Sequence, residues 1–214
     1  MRMRKKPNLL PRLEKCSPVI ISEPESMRGH WRTRSGCKKL FVELGCGKGR
    51  FTSETAKNLD DTLLMAVERV REAMVVAAER VIAAEQKNVL FSNIDAEKLP
   101  LILAPGEADR LYINFCDPWP GNRHAKRRLT SGRFLQLYRE LLCEGGEIWF
   151  KTDNSELFEY SLEQFKENGF SLHEVTRDLH KDGPVGVMTD YEIKFHAQGV
   201  KINRCAARKE TISV

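Results

Sequence analysis

Apolar residues in this chain fall into short runs of two alternating kinds. Leu40-Phe41-Val42-Glu43-Leu44 is almost continuously apolar and ends in glycines, as a strand buried on both faces does. A helix follows from Arg50 to about Leu59, and Leu63-Leu64-Met65-Ala66-Val67-Glu68 repeats the strand pattern. Val70, Ala73, Met74, Ala77, Ala78 and Val81 then recur at i, i+3, i+4 spacing, the apolar stripe of an amphipathic helix. Val89-Leu90-Phe91 predicts a third strand, Ala96 to Leu103 a short helix, and Arg110 to Cys116 a fourth strand. Phe134, Leu135, Tyr138, Leu141 and Leu142 mark a helix stopped at Gly145-Gly146. Glu147 to Thr152 is a fifth strand, in which Trp149 reads as core beside Ile148 and Phe150. A helix through Leu157, Phe158, Leu162 and Phe165 ends at Asn168-Gly169.

Beyond that point the rhythm breaks. Phe170 to Arg177 and Tyr191 to His196 read as two strands joined by a long loop with no helix between them. Five βα units followed by a β-β pair describe an α/β fold: a mostly parallel, seven-stranded Rossmann-like sheet with helices on both faces and one antiparallel strand near the C-terminus. Residues 1–38 lack sustained periodicity and read as an extended, partly ordered basic arm, leaving 39–214 as one domain.

Charge refines this picture more than composition does. The net charge is only +5, but basic residues crowd the start (Arg2, Arg4, Lys5, Lys6, Arg12, Lys15, Arg28, Arg32, Arg34, Lys38, Lys39) and recur at Arg123, Lys126, Arg127, Arg128 and Arg133. Two such patches point to a polyanionic partner. The six cysteines show no C-x-x-C pair and no histidine at zinc-like spacing, which predicts a reduced cytoplasmic protein without a structural metal. No apolar run approaches the ~18 residues that would span a membrane. His30, His173, His180 and His196 read as surface or loop residues.

Glu43-Leu44-Gly45-Cys46-Gly47-Lys48-Gly49 joins the first strand to its helix. Glycines there allow positive φ and close approach of a ligand to the backbone, and the helix start offers free N–H groups. Acids then stand at the predicted strand ends: Glu43, Glu68, Asp95 and Asp117, with Asp153 after the fifth. In open α/β sheets this is the edge where ligands bind. Glu68 lies 19 residues beyond Gly49, where an acid grips ribose hydroxyls. An acid-rich rim suits a cationic ligand such as S-adenosylmethionine, with its sulfonium and ammonium, better than the pyrophosphate of NAD. The glycine spacing also departs from the G-x-G-x-x-G of dinucleotide sites.

Asn114-Phe115-Cys116-Asp117-Pro118-Trp119-Pro120 is the most distinctive stretch. Two prolines around a Trp fix a rigid turn after an acid and offer a flat apolar wall for a base. Arg123-His124-Ala125-Lys126-Arg127-Arg128 follows at once and places phosphate-binding charge beside it.

Here the chain resembles the bacterial tRNA (guanine-N7)-methyltransferases, class I enzymes that modify the variable-loop guanine at position 46. The likeness runs from Met1-Arg2-Met3-Arg4 through the glycine turn, Asn93-Ile94-Asp95-Ala96, Asp117-Pro118-Trp119-Pro120 with Lys126-Arg127-Arg128, and Lys151-Thr152-Asp153-Asn154, to Thr189-Asp190-Tyr191-Glu192. It implies cofactor contacts from Glu43, Gly45, Gly47, Gly49, Glu68, Asp95, Ala96 and Asp117. It implies guanine or tRNA contacts from Asp153, Thr189, Glu192, Arg123, Lys126, Arg127 and Arg128. Asp117 is the expected catalytic residue, a guanine anchor and anionic stabiliser beside the developing charge, in a monomeric or homodimeric enzyme. The family commonly has Lys after D-P-W-P, where this chain has Gly121.

Two rivals share parts of the pattern. A nicotinamide-dependent dehydrogenase would use the glycine turn and Glu68 but has no use for D-P-W-P followed by K-R-R. A non-catalytic RNA-binding module on the same fold would not need acids at every strand end.

Overall fold

The computed structural model describes residues 8–211, which form two compact units dividing between Ala104 and Pro105. The seven strands follow the order β3-β2-β1-β4-β5-β7-β6 in a seven-stranded sheet. Within the first unit β1 pairs parallel with β2 and β2 with β3; within the second β4 pairs parallel with β5, and β7 runs antiparallel to both β5 and β6.

In the first unit β1 (Lys39–Leu44), α3 (Arg50–Ala56), β2 (Thr62–Val67), α4 (Arg71–Ala83) and β3 (Val89–Ser92) realise the predicted alternation, and α5 (Leu99–Ile102) closes it. All six residues of β2 are buried, which explains its unbroken apolar run. Leu44 stands opposite Val67, and Val67 opposite Ser92, so the three strands end level. The glycine turn, Glu68 and the Asn93–Asp95 segment therefore leave from one edge.

The described part of the predicted arm is not extended. It carries α1 (Leu9–Lys15), a 3-10 turn at Pro24–Met27 and α2 (Trp31–Ser35). Trp31 is wholly buried and its indole N–H donates to the Ile102 carbonyl at 2.7 Å. Phe91 N–H donates to the Val19 carbonyl, and Ile21 N–H to the Phe91 carbonyl, adding backbone pairing along β3. The buried anchors Cys16, Val19, Met27 and Trp31 are irregularly spaced, so no period announces them. The basic start Met1 to Lys6 lies outside the described residues.

The second unit contains β4 (Ala108–Asn114), a 3-10 turn at Asn122–Arg127, α6 (Gly132–Leu141), β5 (Leu142–Thr152), α7 (Ser155–Glu167), β6 (Phe170–Thr176), α8 (Asp190–Ala197) and β7 (Asn203–Lys209). Its core is aromatic: Phe150 stacks on Phe158 at 6.1 Å and meets Phe165 edge-on at 6.2 Å, and Phe165 meets Phe170 at 6.0 Å.

Three expectations fail in this half. Gly145-Gly146 lies inside β5, which begins as soon as α6 ends. Tyr191 to His196 is helical, not extended, because Thr189 and Glu192 form a reciprocal capping box that closes its first turn. The last strand is instead Asn203–Lys209, whose alanines and arginines carry little β signal. Trp149, expected in the core, is only partly buried and has two guanidiniums beside its ring, Arg110 at 4.1 Å and Arg204 at 5.1 Å from the centroid. Ile148 and Phe150 point the other way, as alternation in a strand requires.

Candidate active site

The glycine turn of the first unit is held from beneath by one carboxylate. Glu68 leaves the end of β2 and is 9% exposed; its Oε2 accepts from Gly47 N–H at 2.9 Å and its Oε1 from Val70 N–H at 2.8 Å. Gly45 N–H and Cys46 N–H both donate to the Val67 carbonyl, at 2.8 and 3.2 Å. Asn93, just beyond β3, braces the same corner, donating to the carbonyls of Glu68 at 2.7 Å and Arg69 at 3.1 Å.

The three glycines do different work. Gly45 and Gly47 have positive φ, 75° and 56°, and nothing lies within 4 Å of where a Cβ would stand, so they form an open cradle. Gly49 also has positive φ, but a Cβ there would meet the Cβ of Ala77 at 2.5 Å. It is the point where α3 and α4 touch, so its glycine is a packing requirement.

Glu43 is 2% exposed and accepts from the hydroxyl of buried Thr52 at 2.5 Å, tying β1 to α3. Asp95 is partly exposed, caps the short turn at Ala96–Lys98 through Glu97 N–H, and lies 3.5 Å from Arg69. Burial, and then the charges of Glu43 and Glu68, push the Cys46 thiol well above its ordinary pKa, so it is no nucleophile at neutral pH. An open cradle backed by carboxylates fits a ligand that carries hydroxyls and positive charge.

In the second unit Asp117 is exposed at the head of the Pro118-Trp119-Pro120 turn. Trp119 takes φ 42° and Phe115 φ 53°, a left-handed region that costs a bulky residue about 1–3 kcal/mol and persists only when neighbours enforce it. Arg128 is 4% exposed; its Nε donates to the Pro118 carbonyl at 3.0 Å and its Nη2 to the Trp119 carbonyl at 3.2 Å. Of the four residues expected to face phosphate, Arg123, Lys126, Arg127 and Arg128, the last is buried with its guanidinium engaged by the turn. Arg123, Lys126 and Arg127 are exposed, and the Arg127 guanidinium lies 4.9 Å from the Trp119 ring centroid. Burial, with help from the charge of Asp117, raises the adjoining Cys116 thiol to about 12.

Asp153 is partly exposed after β5, while Glu192 is wholly buried. Glu192 Oε2 accepts from Lys151 Nζ at 2.7 Å and from Thr189 N–H at 3.1 Å, and its Oε1 lies 2.9 Å from His180 Nε2. Val185 N–H donates to His180 Nδ1 at 3.1 Å, so Nε2 is the ring nitrogen that faces Glu192. Lys151 also donates to the Val187 carbonyl at 3.0 Å. Glu192, expected to meet guanine, is here buried with both oxygens engaged inside the unit. His180, expected at the surface, is 7% exposed. The sequence assigns neither Lys151 nor His180 a role beside Glu192, although Thr189-x-x-Glu192 is the signature of a capped helix.

Comparison with known proteins shows what the chain is similar to. A family model described as "Putative methyltransferase" matches residues 37–205. A tRNA (guanine-N(7)-)-methyltransferase of Bacillus velezensis is 45% identical over 213 residues, covering 99% of this chain and 98% of that protein. Among solved structures, the 16S rRNA methyltransferase KamB has a TM-score of 0.64 at 14% identity, over 83% of this chain and 91% of that one. The tRNA (m1A58) methyltransferase TrmI of Aquifex aeolicus has a TM-score of 0.56 at 17% identity, over 89% of this chain and 70% of that one. These two likenesses concern the fold.

Proposed function

Because the chain belongs to the tRNA (guanine-N7)-methyltransferase family, we propose that it transfers a methyl group from S-adenosylmethionine to N7 of guanine 46 in the variable loop of tRNA. The observation that carries the donor assignment is the open Gly45–Gly47 cradle clamped by Glu68. S-adenosylmethionine, when bound, supplies an electrophilic methyl group on a sulfonium. Gly45 and Gly47 let it approach the backbone, Glu68 and Asp95 accept from its hydroxyls and balance its positive charge, and Glu43 keeps α3 in register behind the turn.

Guanine N7 carries its own lone pair, so no residue need remove a proton before attack. Rate then comes from alignment and from electrostatics, because the purine gains positive charge as the new bond forms. Asp117 is the residue assigned to that charge: an exposed carboxylate on a rigid turn, acting as an anion and not as a base. Asp153 accepts from the guanine N1–H and amino group. Thr189 and Glu192 act on this pocket indirectly, by fixing the start of α8, and Arg123, Lys126 and Arg127 hold tRNA phosphates. Among the described residues no helix is long and apolar enough to cross a membrane, and a tRNA substrate puts the enzyme in the cytoplasm.

Incubation with methyl-labelled S-adenosylmethionine and bulk tRNA, followed by nucleoside analysis, tests this reading. Label in 7-methylguanosine is expected; label in another nucleoside, or none, contradicts it.

A further inference from the structure

The last residue of the Lys126-Arg127-Arg128 run does not behave as a phosphate ligand. Its guanidinium bridges two consecutive carbonyls of the Asp117–Pro120 turn and lies 4.4 Å from the ring centroid of Tyr160, on α7. The residues that follow are fastened to the same helix. Thr130 Oγ1 lies 2.7 Å from Ser161 Oγ, both wholly buried, and Gly132 N–H donates to Gln164 Oε1 at 3.0 Å. Tyr160, Ser161 and Gln164 thus form a rail along α7. Arg128 is the member that reaches past the rail to the turn.

The turn has reason to need it. Trp119 is held at positive φ between two prolines, and the Pro118 and Trp119 carbonyls, neighbours in sequence, both point at the one guanidinium. A planar fork of N–H donors meets two such acceptors at once, whereas an ammonium offers a point charge. Its face remains free for the aromatic ring.

We infer that Arg128 is a positioning residue for methyl transfer: seated on Tyr160, it holds the Pro118 and Trp119 carbonyls and thereby fixes Asp117, and it takes no part in binding tRNA phosphate. Arg127 and Lys126, one and two residues earlier and exposed, carry the phosphate contact. The two halves of one basic run then have separate tasks. This rests on the methyl-transfer reading above and deepens it.

The test compares Arg128→Lys, Tyr160→Leu and Arg127→Ala with wild type, in single-turnover methyl transfer and in tRNA filter binding across a salt series. Arg128→Lys is expected to lower the rate at saturating tRNA at least tenfold, with tRNA affinity within twofold and the salt slope of wild type. Tyr160→Leu is expected to do the same in weaker form, about threefold or more, and Tyr160→Phe to retain the wild-type rate. Arg127→Ala is expected to flatten the salt slope by about 0.7 log units, one phosphate contact on a single strand. A wild-type rate in Arg128→Lys, or a salt slope flattened as in Arg127→Ala, overturns the inference. If Arg128→Lys does not fold, Tyr160→Leu decides alone: an unchanged rate overturns the inference. An inactive wild type would instead overturn the methyl-transfer reading.

Discussion

The two turns that carry the chemistry are braced in opposite senses. In the first unit the Glu68 carboxylate accepts from the backbone N–H groups of Gly47 and Val70. In the second unit the Arg128 guanidinium donates to the backbone carbonyls of Pro118 and Trp119. An acid holding donors leaves a negatively lined cradle, suited to a cationic cofactor. A base holding acceptors frees its exposed neighbours Arg123, Lys126 and Arg127 for a polyanion. The flexibility differs as well: the first turn uses glycines at its positive-φ positions, whereas the second forces a Trp into one. A glycine turn needs a brace to limit its freedom; the Trp turn needs one to offset strain.

The largest expected effect lies in the second unit, next to the Trp turn, where Phe115 N–H donates to the Lys151 carbonyl at 2.9 Å. Lys151→Met removes the ammonium beside wholly buried Glu192 and should cost roughly 3–5 kcal/mol in denaturant unfolding, because a charge is left buried without its partner. The double change Lys151→Met with Glu192→Gln should recover part of that loss. If the single change costs no more than the double, the pair does not organise this unit.

The next largest concerns the turn itself. Asp117→Asn preserves shape and removes the anion, so single-turnover methylation at saturating tRNA should fall about 100-fold, on the scale of losing one preorganised electrostatic group. Thermal unfolding should stay near wild type because the side chain is exposed. An unchanged rate would remove the electrostatic role from this turn.

How far the sequence discloses these braces depends on whether the residue reports its own burial. Strand-end acids and the glycine turn were legible because a run of apolar residues ending in Gly-x-Gly leaves few alternatives. The burial of Glu192 and Arg128 is not legible, because a charged residue is ordinarily exposed and nothing local reveals that Lys151 or a pair of carbonyls meets it inside. In α8 the signal is inverted: Tyr191, Ile193 and Phe195 alternate like a strand, yet Tyr191 and Ile193 are 53% and 38% exposed and Glu192 is the one fully buried residue. The arm was missed for another reason, since its buried residues are irregularly spaced.

A smaller effect sharpens the contrast in backbone freedom. Gly121 follows the Trp turn with φ 81° and ψ 146°, a conformation almost confined to glycine, although no atom stands within 4 Å of a Cβ there. Gly121→Lys should therefore lower stability by about 1–3 kcal/mol without tightening tRNA binding. Tighter binding at unchanged stability would mean that the turn accepts a side chain and that a phosphate contact is merely missing.

The division of labour between the two turns is tested most directly by crossed binding measurements on two variants, Glu68→Ala and Lys126→Ala/Arg127→Ala. Calorimetry with S-adenosylhomocysteine and filter binding of tRNA are done on both. Glu68→Ala should weaken cofactor-product binding about 10- to 150-fold, the loss of hydrogen bonds to a charged group worth ~1.5–3 kcal/mol, and leave the salt dependence of tRNA binding intact. The basic double variant should do the reverse. Loss of both ligands in either variant, or unchanged S-adenosylhomocysteine affinity in Glu68→Ala, would contradict the account.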